Sequence, residues 1–123
     1  MTGSRSLLLG TLLAVALGGQ ALAHSEMARS DPAEGAVLAA SPPAVAVAFT
    51  EPMRVTSLKL VDETGKETPL RREGATKGMV QHVRAVVAEP LAPGAYRVEW
   101  RGASVDGHVG GGTLRFRVGS APR

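Results

Sequence analysis

Three side chains have the types and placement to hold a metal ion. Two are Asp106 and His108, within Ser104-Val105-Asp106-Gly107-His108; the third is His24, far upstream. His24 directly follows Ala21-Leu22-Ala23, whose small residues at alternate positions match a secretory cleavage site. Cleavage there would make His24 the first residue of the mature chain. Its α-amine and its imidazole Nδ1 could then close one chelate ring on a single ion. An α-amine titrates at about 8, so it yields its proton to a metal near neutral pH at little cost. In an extended backbone, Asp106 and His108 would project to the same side, and Gly107 between them adds no side chain. Two nitrogens from His24, one from His108 and an oxygen from Asp106 form the tetragonal N,O set that suits Cu(II). Each residue also has a plain structural reading. Asp-Gly is a tight-turn pair, and a single histidine is more often a loop residue than a ligand. The conjunction of the three is what points to a metal.

The elements that must position these residues follow from the rest of the chain. Of the 123 residues, the first 23 read as a signal peptide: Arg5, then an uncharged apolar run from Leu7 to Leu17, then the cleavage site. That run is shorter than the roughly 20 apolar residues a membrane span needs, so no stable membrane insertion is expected after cleavage. Residues 24–123 then form one domain. Removing residues 1–23 takes away one arginine and no acid, so the net charge falls from +3 to +2. One Trp, one Tyr and two Phe make a poor stacking platform, and the basic residues are scattered. Nucleic acid is therefore set aside as a partner. With no cysteine, the chain has no disulfide, thiolate ligand or thiol nucleophile. Any metal site must use histidine, carboxylate, methionine or the N-terminus.

Short alternating apolar runs broken by Pro and Gly predict a β-sandwich. Glu26 to Ser30 reads as a first strand. Val45, Val47 and Phe49 alternate in a second strand, which the sequence ends at Thr50-Glu51-Pro52. Ser57 to Val61 is a third, and Asp62-Glu63-Thr64-Gly65-Lys66 a hairpin turn. Glu67 to Leu70 reads as a short edge strand, the charged stretch from Arg71 to Gly78 as an exposed loop, and Met79 to Val87 as a longer strand. Leu91-Ala92-Pro93-Gly94-Ala95-Tyr96 has the pattern of a tyrosine corner, in which the phenol bonds back to the backbone. Tyr96, Val98 and Trp100 should face inward on the strand that follows, as should Leu114, Phe116 and Val118 on the last. Gly110-Gly111-Gly112 reads as a flexible joint. About seven strands result, as in an immunoglobulin-like Greek-key β-sandwich.

These motifs, in this order, resemble the CopC family of periplasmic copper-binding and copper-resistance proteins, with its CopC-, PcoC- and YobA-type members. The resemblance covers nearly all of residues 24–123. It is carried by His24, by Ser30-Asp31-Pro32-Ala33-Glu34-Gly35, by Val47-Ala48-Phe49-Thr50-Glu51, by the run from Pro90 to Arg101 and by Ser104-Val105-Asp106-Gly107-His108. It implies a periplasmic, non-enzymatic protein that binds Cu(II) through His24, Asp106 and His108, with Glu51 as an additional ligand or as an acceptor for the N-terminal amine. It also implies a CopD-like inner-membrane protein as recipient of the copper, and a monomer is expected. Some relatives carry a Cu(I) site in a methionine-rich loop. Here only Met53 and Met79 bracket the matching stretch, so no dedicated Cu(I) site is expected, and both read as packing residues. His82 reads as a half-exposed strand residue, and Trp100 as core close enough to report copper.

Two other functions fit parts of the sequence. A copper-dependent oxidase with a histidine-brace-like site would use the same N-terminal chelate, but it calls for a flat surface rich in aromatics. A metal-free immunoglobulin-like interaction domain would need none of the three ligands.

Overall fold

The computed structural model describes residues 26–74 and 76–119; His24 and the segment read as a signal peptide lie outside the described residues. The described chain is all β. Its strands are β1 (Met27–Asp31), β2 (Ala36–Leu38), β3 (Ala44–Asp62), β4 (Glu67–Thr68), β5 (Leu70–Arg72), β6 (Val80–Val87), β7 (Gly94–Ser104) and β8 (Val109–Val118). They lie in the order β2-β8-β7-β3-β6-β5, with β1 and β4 also paired to β3. All pairings are antiparallel except that of β2 with β8.

The architecture turns on β3. The sequence suggested two strands separated at Thr50-Glu51-Pro52, whereas β3 is one continuous strand of 19 residues. Pro52 cannot donate to a ladder, and such residues are confined to edges and bulges. Pro52 sits where the ladder to β6 shifts register, between Ala48 and Met53. There the strand changes neighbours instead of ending. Residues 46–49 pair with β1 and residues 44–48 with β6, while Met53 to Asp62 pair with β7. Carrying different partners on its two halves, β3 curls the sheet into two facing layers.

Period-2 alternation then fills the space between the layers. Val45, Val47 and Phe49 come from the first half of β3 and Leu60 from the second. Val83 and Ala85 come from β6, Val98 and Trp100 from β7, and Leu114 and Phe116 from β8; all are buried. Phe49 and Trp100 meet edge to face at 5.0 Å, and Tyr96 stacks on Phe116 at 5.8 Å.

Two local expectations hold. The Tyr96 hydroxyl donates to Ala92 O at 2.6 Å, closing the tyrosine corner. Asp62 Oδ1 accepts from Thr64 N, Thr64 Oγ1 and Lys66 N, which fixes the hairpin turn and holds the Asp62 carboxyl below its ordinary value, chiefly through the Thr64 hydroxyl. Gly65 takes φ 89° there, a conformation costly for any side chain.

Other expectations need correction. The short edge strand is split: β4 pairs with β3 and β5 with β6, so the chain changes neighbours across Pro69. Arg72 belongs to β5 and donates to Val55 O at 3.1 Å, so the loop begins later than its charge suggested. Gly110-Gly111-Gly112 is regular strand, pairing with Gly102, Arg101 and Trp100. Glycine is required there by close approach: a Cβ on Gly111 would stand 2.6 Å from Trp100 O, and one on Gly112 would stand 2.7 Å from Trp100 Nε1.

The corner bond gives a direct test. Tyr96→Phe should keep the fold and lower the unfolding free energy by about 1 kcal/mol, the usual net worth of one such hydrogen bond. Urea denaturation followed by Trp100 fluorescence measures it; an unchanged midpoint would show that the bond does not pin the corner.

Candidate metal centre

The long antiparallel ladder of β7 and β8 runs to the pair Ala103 and Val109, and residues 105–108 close it. The closure is tight: Gly107 N donates to Ser104 O and Ser104 N to His108 O, each at 2.9 Å. Gly107 has φ 90°, which only glycine adopts without strain. The Asp106–His108 backbone is therefore a turn and not the extended segment expected from the sequence. The turn reading of Asp-Gly holds, and the turn brings the side chains of Asp106 and His108 together.

Within the turn, Asp106 is the hub. Its Oδ1 accepts from the Ser104 hydroxyl at 2.5 Å and from His108 N at 3.2 Å. Its Oδ2 lies 2.8 Å from His108 Nδ1. The Ser104 hydroxyl first, then the bonds from His108, hold the Asp106 carboxyl down at about 2. Because that value lies below the ordinary 3.8, these bonds favour the folded turn above pH 3.8 and are lost as pH falls from there towards 2. Asp106 is thus an anion throughout the neutral range. With Nδ1 held by the carboxylate, the imidazole presents Nε2 outward. This is the carboxylate–histidine pairing that orients a metal-binding ring and raises its basicity. Both side chains are open to solvent, 66% exposed for Asp106 and 85% for His108.

The start of β1 reaches the same end of the sandwich. Thr50 N donates to Glu26 O at 2.8 Å. The Glu26 carboxylate lies over the bare face of Gly110, where a Cβ would meet Oε1 at 3.3 Å. Gly110 is two residues beyond His108. Glu51 follows Thr50 on β3 and is exposed, and Met53 pairs directly with Ser104. Asp106 and His108 are thus in contact. Glu51 shares their end of the molecule without a hydrogen bond to either. His24 lies outside the described residues.

The remaining candidates lie elsewhere. Met53 pairs with Val80 on one side and Ser104 on the other, so the width of β3 separates His82 from the turn. His82 is exposed and lines a cleft of about 560 Å³ with Glu73 and Arg84. Met53 is fully buried, as its reading as a packing residue requires. Met79 is instead 38% exposed, because it precedes β6, where the core alternation has not begun. Trp100 is core as expected, and its Nε1 is buried without a hydrogen-bond partner. A cleft of about 500 Å³ lined by Glu34, Tyr96, Arg97 and Arg115 sits at the other end of β7 and offers no imidazole.

The sequence reading passed over Ser104 and Glu26. Ser104 could have been found as a hydroxyl two residues before an aspartate at a turn, a common local acceptor pattern. Glu26 gave no signal, because its contact depends on the distant Gly110.

The fold is an all-β sandwich. The chain belongs to the CopC family, whose domain matches residues 27–119. It is 33% identical over 105 residues to copper resistance protein C of Pseudomonas syringae pv. tomato, covering 80% of this chain and 82% of that protein. It is 30% identical over 103 residues to protein YobA of Escherichia coli K12, covering 78% and 79%. Copper transport protein CutJ of Bacillus subtilis is 27% identical over 112 residues; the match takes in 89% of this chain but only 21% of CutJ, about a fifth of its length. Among solved structures, CopC from Methylosinus trichosporium OB3b superposes with a TM-score of 0.65 at 28% identity, covering 81% of this chain and 98% of that one. PcoC, a methionine-rich copper resistance protein from Escherichia coli, gives 0.62 at 26% identity, covering 77% and 98%.

The hydrogen bonds around Asp106 predict a titration. Ser104→Ala removes the leading cause of its low value, so the midpoint should rise from about 2 towards 3.8. The side-chain carboxyl carbon shift, followed by NMR from pH 1 to 6 (the range spanning both values), reads it. An unmoved midpoint would show that the hydroxyl does not hold the carboxylate.

Proposed function

We propose that this chain is a periplasmic copper-binding protein that holds Cu(II) through the α-amine and imidazole of a processed His24, His108 and Asp106. The outward Nε2 of His108 supports it as a donor. Asp106 stays ionised at every pH above 3.8 but faces Nδ1, across the ring from Nε2, so its carboxylate must turn away from Nδ1 to join the same ion. Nitrogen with one hard oxygen is the combination Cu(II) prefers. Among the described residues no three ligating side chains converge, so the Asp106–His108 pair needs donors from beyond them.

One observation carries the reading of His24. Glu26 is bonded to Thr50 and seated on Gly110, beside the turn. Two residues reach at most about 7 Å, and the two residues from Gly110 back to His108 span about the same distance along a strand. Those lengths are enough for a residue 24 that begins the mature chain to meet the Asp106–His108 pair, which supports the reading. Glu51, between Thr50 and Met53, is in the right region to accept a bond from the amine.

The copper would be cargo. An exposed site at the end of a rigid sandwich lets a partner approach the ion, which suits transfer to a CopD-like inner-membrane protein. All four aromatic side chains, Phe49, Tyr96, Trp100 and Phe116, are buried. They form no flat platform of the kind a histidine-brace oxidase would use, which supports a carrier and not an enzyme. The protein would act as a monomer.

A Cu(II) competition titration tests the proposal on one protein beginning at His24 with a free amine and another beginning at His24 with that amine acetylated. Acetylation turns the amine into an amide nitrogen and leaves every side chain in place. Affinity should fall about a hundredfold or more, because a chelating second donor acts at high effective concentration. Equal affinities would overturn the role of the N-terminus. His108→Ala and Asp106→Ala should each weaken binding by about tenfold or more; unchanged affinity in both would overturn the turn as the site.

A further inference from the structure

We infer that Gly110 is a positioning residue for the copper site: its bare face on β8 is the seat on which the N-terminal segment is held beside the Asp106–His108 turn. The inference deepens the proposal above and rests on its reading of His24 as a ligand.

Gly110 has no positive φ, so its backbone does not demand glycine. What its missing side chain allows is the approach of Glu26. A Cβ at Gly110 would meet Glu26 Oε1 at 3.3 Å, Oε2 at 3.6 Å and Cδ at 3.7 Å, all three carboxyl atoms in one place. Gly110 shares the inward-facing register of Leu114 and Phe116, so its bare face continues the core surface to the open end of the sandwich. The segment is held there at two points. Its backbone is bound to β3 by Thr50 N donating to Glu26 O at 2.8 Å, and its side chain rests on β8. A segment fixed to β3 alone could swing about that strand. Contact with β8, two residues from His108, fixes Glu26 on the side of β3 where the turn lies. Ligand geometry set from outside the ligands is a large part of metal affinity, and losing such support typically costs about ten- to a hundredfold.

Gly110→Val tests this, because valine suits a strand and its branches would occupy the place of the Glu26 carboxylate. Two readouts apply: exchange of the Thr50 amide in metal-free protein, and Cu(II) affinity in proteins with the His24 amine free or acetylated. Gly110→Val should speed Thr50 exchange and weaken copper about tenfold in the protein with the free amine, with no change in the acetylated one. Equal weakening in both would place the effect in the turn and overturn the inference. Unchanged Thr50 exchange would overturn it as well. If the two parent proteins bind copper alike, the reading of His24 fails and this inference falls with it; if they differ and Gly110→Val leaves that difference intact, only this inference fails. Should Gly110→Val not fold, Glu26→Ala removes the seated group from the other side, and the same outcomes decide.

Discussion

The change of partners along β3 is the constraint on which the rest of the structure depends. The first half of the strand carries β1 and β6 and the second carries β7 and β4, so one strand belongs to both layers. Its crossing point, from Thr50 to Met53, is also where the start of β1 and the β7–β8 turn converge. Thr50 holds Glu26 by its backbone, and Met53 pairs with Ser104. A ladder gap at Pro52 thus brings together two parts of the sequence that are far apart along the chain.

At that end, rigidity and openness are combined. The turn is fixed by backbone bonds at both ends and by Asp106 bonded to both Ser104 and His108, yet its two donors face solvent. The core beneath is closed by Trp100, packed against Phe49 and over Gly112. Such an arrangement pre-orients an imidazole without burying it.

Much of this was legible in the sequence because it is local or periodic. The alternations through Val45 and Phe49, Tyr96 and Trp100, and Leu114 and Phe116 fixed the inward faces. The spacing of Pro93-Gly94 and Tyr96 fixed the corner, and Asp62 to Lys66 the hairpin. What was missed depends on contacts between distant strands. Thr50-Glu51-Pro52 looked like an end because proline interrupts a ladder, but the strand continued by changing neighbours. Gly110-Gly111-Gly112 looked like a joint because glycine is permissive, but it is bare where Trp100 and Glu26 approach. Within the candidate site, the Asp106–His108 pair was readable. Their mutual hydrogen bond and the support from Ser104 were not, because the pair was expected in extended backbone.

In the proposed site the α-amine of residue 24 and the imidazole of His108 bind one copper ion. Pulsed electron paramagnetic resonance on protein beginning at His24, loaded with one equivalent of Cu(II), tests it most directly when the protein carries ¹⁵N only at residue 24 or only at His108. Nitrogen couplings that change with either label are expected, including one from a directly bound amine. Couplings indifferent to the label at residue 24 would contradict it, and the site would have to be built without the N-terminus.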